Sequence, residues 1–138
     1  TRTDDVTAEE PGKILHEVRS AGFSLGEDDG AERHLPPIYY GTIDATPLWA
    51  LTLHDAWSWG APEDQVEPLL PALERALTWQ VEHGDADGDH FLEYVDETGA
   101  GLANQGWKDS WDGIRYRDGT VASAPIAASS RLVGVRSE

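Results

Sequence analysis

The chain contains no cysteine and no methionine, only 10 basic residues against 26 acidic ones, and no long apolar run. Each absence excludes something. Without cysteine there are no disulfides and no thiolate metal sites, and the redox compartment stays open. No stretch approaches the roughly 20 apolar residues that span a bilayer. No basic start followed by an apolar middle marks a secretory leader. The shortage of cations leaves a formal net charge of −16, which repels nucleic-acid backbones and anionic membranes. The expectation is therefore a cytoplasmic protein with no nucleic-acid or membrane partner, handling neutral or cationic ligands. A chain that opens Thr1-Arg2-Thr3 and holds no methionine is also expected to be a piece of something larger.

At 138 residues the chain has the size of one domain with a modest core. Residues 1–12 are polar and acidic, punctuated by Pro11-Gly12, and have the composition of a linker. Lys13 to Ser20 is a short mixed run that suits a strand or a helical turn. Gly26 to Glu32 is an acidic loop, after which Pro36-Pro37 forces an extended approach into Ile38-Tyr39-Tyr40.

Asp44 to Trp59 predicts a helix, with Asp44 or Thr46 as its cap and Pro47 in its first turn. Pro62 to His83 predicts a second helix, on which Val66, Leu69, Leu70, Leu73, Leu77 and Val81 form one apolar stripe that Gly84 stops. The Gly60-Ala61-Pro62 turn joins the two into a helical hairpin. Its faces need more apolar partners than the chain supplies. Beyond it, His90 to Tyr94 alternates like a short strand, and Val121 to Ala128 reads as the start of a third helix.

Two segments carry candidate chemistry. Asn104 to Gly113 sets Asp109 and Asp112 three residues apart among Trp107, Lys108 and Trp111. Aromatic faces beside carboxylates suit a sugar ring and its glycosidic bond, whose hydrolysis uses one carboxyl to protonate the leaving oxygen and another to activate water or attack. An aromatic-walled pocket raises the pKa of the donor by desolvating its charged form, which fits Asp109. Asp112 is the better hydrogen bonder to sugar hydroxyls. The alternative for this stretch is a surface turn in which Asp109 or Ser110 caps a helix. In the second segment, Tyr39 and Tyr40 offer stacking faces, and Asp44 sits at a helix start, either as a cap or as an acceptor for sugar hydroxyls.

Asp85-Ala86-Asp87-Gly88-Asp89 opens like a calcium-binding EF-hand loop, but His90 stands where glycine is required and Asp96 where glutamate is. A solvated turn is the expectation, and no metal site. The histidines at 16, 34, 54, 83 and 90 show no ligand spacing, and no phosphate- or dinucleotide-binding fingerprint is present. No cofactor is expected.

Taken in order, Pro11-Gly12-Lys13-Ile14-Leu15-His16-Glu17-Val18-Arg19, Tyr39 to Leu48, Gly84 to Asp89 and Asn104 to Ser110 resemble bacterial glycogen-debranching-type glycoside hydrolases, the amylo-α-1,6-glucosidase group. The resemblance implies a mainly α fold, part of a six-hairpin (α/α) toroid with short β segments. It would comprise residues 13–127, after a linker over 1–12 and before an atypical tail over 128–138. It implies an inverting hydrolase of α-glucosidic bonds in glycogen-type or malto-oligosaccharides. Asp109 would match the general acid, with Tyr40 and Asp44 in the sugar subsite. The family's general base lies far downstream of the matched segments, so little turnover is expected from this chain alone.

After Pro125-Ile126-Ala127 such proteins continue into an inner helix. Here Ser129-Ser130-Arg131-Leu132 stands instead, the reading of Leu-Val-Glu-Val codons shifted by one base. A frameshift that ended the family's sequence is the expectation this raises. The alternatives to an incomplete hydrolase are a stand-alone carbohydrate-binding module and a helical fragment that binds a partner, such as the missing remainder of the catalytic domain.

Overall fold

The computed structural model describes residues 4, 6–25, 33–94, 114–121 and 126–131. Within them, Glu17–Val18 (β1) pairs antiparallel with Ile38–Tyr39 (β4), and Phe23–Leu25 (β2) with Arg33–Leu35 (β3). The extended entry that the prolines impose thus becomes β4. Helix α1 covers Ala45–Ser58, the single turn α2 covers Glu63–Val66, and α3 covers Leu70–Glu82. After the acidic turn, Phe91–Tyr94 (β5) pairs antiparallel with Ile126–Arg131 (β6), with Tyr94 opposite Ile126 and Phe91 opposite Arg131.

Local sequence explains the helix boundaries. The Trp59 amide donates to the Asp55 carbonyl and that of Gly60 to Trp57. Gly60 holds φ +97, the left-handed conformation that ends helices at little cost for glycine. The single helix expected over 62–83 is instead divided. A 3-10 turn at Glu67–Leu69 separates α2 from α3, because Pro68 and Pro71 lack the N–H groups an unbroken helix needs.

The core is small. Ile43, Trp79 and Leu92 form its buried apolar cluster, and half-buried Ile114 packs against it. Trp79 reaches it from α3, where Ala76 and Gln80 are also buried. The residues before β1 are docked on α1 and α3. The Trp79 indole N–H donates to the Glu10 carboxylate, the Lys13 ammonium lies 5.3 Å from the centre of the Trp79 ring, and the Ile14 amide donates to Thr46 Oγ1 at 3.0 Å.

The (α/α) toroid is not formed. Among the described residues α1 and α3 are the only helices longer than one turn, and three two-stranded antiparallel sheets accompany them. A toroid requires further hairpins against each helix. Here Leu48, Leu51, Leu70, Leu77 and Val81 remain exposed, and Trp59 is 92% exposed. The helix expected to begin in the 121–128 region is replaced by β6, whose residues 126–131 fill the hydrogen-bonding edge of β5. No described helix is long and apolar enough to cross a membrane.

Candidate functional site

The segment between β4 and α1 places three of the expected sugar-site residues. Tyr39 is 5% exposed, and its ring lies so close over Gly41 that a Cβ there would collide with it. Its face is taken by the protein's own backbone. Tyr40 is half-buried, and its amide donates to the Thr7 carbonyl at 2.8 Å. Asp44 occupies the cap position of α1 with φ −87 and ψ −27, yet its side chain makes no capping hydrogen bond. Only its backbone carbonyl serves the helix, accepting from the Leu48 amide at 3.0 Å. A half-buried carboxylate therefore stands at the helix start without the structural task the sequence offered it.

A second acidic constellation follows α3. Leu92 points into the core, so strand alternation turns Glu93 to the opposite side. There it meets the turn 85–89. One carboxylate oxygen of each of Asp85, Asp87, Asp89 and Glu93 lies within 4.8 Å of the others. The turn is held by its own side chains. Asp85 accepts from the amides of Gly88 (2.7 Å) and His90 (3.0 Å), Asp87 from that of Asp89 (3.1 Å), and Asp89 from that of Phe91 (2.9 Å). Glu93 Oε2 accepts from the Ala86 amide at 2.6 Å, and the Glu93 amide donates to the Gly84 carbonyl at 2.9 Å. Burial pushes the Glu93 carboxyl above its ordinary value, and the negative charges of Asp87, Asp85 and Asp89 add to this against the Ala86 hydrogen bond.

Trp107, Lys108, Asp109, Trp111 and Asp112 lie outside the described residues. What is described is the residue that follows them, Ile114, packed against the cluster that includes Ile43, the immediate neighbour of Asp44. No family model, curated protein or solved structure matches the chain.

Two residues of consequence escaped the sequence reading. Glu93 was taken as one position of an alternating strand, yet its burial beside the three aspartates sets it apart. The signal was its spacing, nine positions along a loop that opens with Asp85. Glu10 was taken as linker, and its acceptance of the Trp79 indole had no local signal.

Proposed function

We propose that the chain engages α-glucosidic oligosaccharides as part of a glycogen-debranching-type glycoside hydrolase. Asp109 is the proton donor to the leaving oxygen, and Asp44 and Asp112 accept hydrogen bonds from sugar hydroxyls. Tyr40, Trp107 and Trp111 supply aromatic faces, and Lys108 pairs with one of the neighbouring carboxylates. The carrying observation is the Asp44 carboxylate, half-buried at the start of α1 and making no cap. The packing of Ile114, two residues after Asp112, on the cluster of Ile43, Trp79 and Leu92 is in keeping with it. The proposed compartment is the cytoplasm, in keeping with an intracellular storage polysaccharide as substrate.

An inverting hydrolase needs its base about 6.5–9.5 Å from the acid, with a water between base and sugar. The resemblance puts that base beyond the matched segments, so the chain binds sugar but releases little glucose by itself. Titration of tryptophan fluorescence with malto-oligosaccharides tests the binding. Saturable quenching that Asp44→Asn weakens about tenfold or more, with the thermal midpoint unchanged, supports the reading. No saturable change sinks it.

A second reading has an observation of its own. Leu53, Trp57, Val66, Leu70 and Leu73 line an apolar cleft between α1 and the α2–α3 segment, and the exposed leucines noted above continue that surface. Docking of a partner's apolar helix there would replace sugar binding as the primary role. Sedimentation of the isolated chain, with and without a candidate partner, separates the two.

A further inference from the structure

We infer that the turn after α3 is a calcium site formed by Asp85, Asp87, Asp89 and Glu93. The acidic cluster alone would be unremarkable on a chain of net charge −16. Glu93 makes the difference. It is 5% exposed, and while its Oε2 takes the Ala86 amide, its buried Oε1 has no hydrogen-bond partner. A buried carboxylate oxygen without a partner is costly, and the carboxylate that carries it lies among three others. The Asp85 side chain is likewise only 5% exposed. The recorded cationic neighbour is His90, whose ring nitrogen lies 3.6 Å from Asp85 and whose side chain is 86% exposed. An exposed imidazole that is neutral for much of the pH range does not offset four clustered carboxylates, two of them, Asp85 and Glu93, largely shielded from water. A divalent cation does.

The geometry selects the ion. All the donors are carboxylate oxygens, the ligands of hard cations. Ligands on opposite sides of a calcium ion, at 2.3–2.6 Å each, lie about 4.6–5.2 Å apart, whereas magnesium holds them within about 4.2 Å. The 4.8 Å span of the cluster suits the larger ion. The spacing also agrees once the backbone is seen. Counting Asp85 as the first position of an EF-type loop, Asp87 and Asp89 are the third and fifth, and Glu93 is the ninth. The sixth, His90, has φ +70. The left-handed turn for which such loops use glycine is therefore made by histidine, and the missing glycine no longer argues against the site.

The experiment is calorimetric titration of the intact, chelator-treated chain with calcium chloride. About 0.15 M potassium chloride suppresses non-specific counterion binding to so acidic a surface. One calcium per chain is expected, with magnesium at least tenfold weaker and the thermal midpoint raised by calcium. Glu93→Gln, which keeps the Ala86 acceptor, should weaken binding at least tenfold. So should Asp87→Asn, which alters an exposed side chain and leaves the core untouched. Three outcomes overturn the inference. They are no saturation by about 10 mM calcium, beyond the weakest protein sites; magnesium binding as tightly as calcium; or binding unaffected by both substitutions. Sugar titration does not enter, so this site can fail without the proposed function failing.

Discussion

Gly12 and His90 both hold positive φ, +91 and +70, for opposite reasons. Gly12 lies against the Arg75 carbonyl, where a Cβ would collide with backbone that cannot move aside. Left-handed backbone costs an L-residue about 1–2 kcal/mol, and the collision adds to it. Gly12→Ala should therefore destabilise the protein by more than about 2 kcal/mol in chemical denaturation. His90 bears the conformational cost because the side chains of Asp85 and Asp89 hold its turn from both sides. His90→Gly should stabilise by less than about 1 kcal/mol, since glycine's greater freedom in the unfolded chain offsets part of the relief. At this scale the sequence was a partial guide. Asp44 was legible as a cap position, but not that its carboxylate would leave the cap unmade. Of the expected site, Tyr39 is buried against Gly41, whereas Tyr40 and Asp44 are half-buried.

Helices were legible as elements and less so as surfaces. Regular spacing marked the start of α1 and the stop at Gly84. The Val66–Val81 stripe was read as a face in need of further partners; on α3 it is Ala76, Trp79 and Gln80 that are buried. The physical reason is Trp79. Among the described residues it is the largest fully buried side chain, and its N–H finds a partner in Glu10, so the helix turns to bury it and leaves Leu70, Leu77 and Val81 outside. The strand at 91–94 followed from alternation. β6 did not, because Ile126 to Arg131 becomes a strand only through pairing with β5. Trp79→Phe keeps most of the ring but removes the indole donor to the Glu10 carboxylate, which is left with the Lys13 ammonium at 3.4 Å. A loss of about 1–3 kcal/mol is expected, with faster exchange of the Ile14 amide, which donates to Thr46 of α1, marking release of the segment from the helices.

Across the whole molecule, two features of charge have measurable consequences. In chelator, the raised pKa of Glu93 means the folded state keeps its proton longer than the unfolded chain does. That contribution is fully present below the ordinary carboxylate value and is lost as pH rises through the raised one. Glu93→Gln should therefore gain stability relative to the unaltered protein as pH climbs from about 4 toward neutrality. Denaturation midpoints across that range check the sign. Calcium should reverse the order at pH 7. The net charge of −16 also keeps the exposed apolar faces of α1 and α3 of separate molecules apart. Screening shortens that repulsion to about 8 Å at physiological ionic strength. Light scattering should accordingly rise with added potassium chloride, and Val81→Lys should blunt the rise. The composition announced the charge plainly. That the hairpin would meet small sheets rather than further helices depends on long-range pairing, which no local pattern encodes.

The antiparallel ladder of β5 and β6 joins Phe91 to Arg131 at one end and Tyr94 to Ile126 at the other. The flanking chain, toward the N-terminus and toward the C-terminus, leaves this ladder from the same end. Tension on the two termini therefore loads its hydrogen bonds one after another, as a zipper, instead of all together in shear. The ladder should be the mechanical weak point of the fold. In an optical trap its opening should be an early, low-force step that peels the chain from Arg131 back toward Ile114, which is packed on the core. Held by calcium at Glu93, the same step should move to higher force.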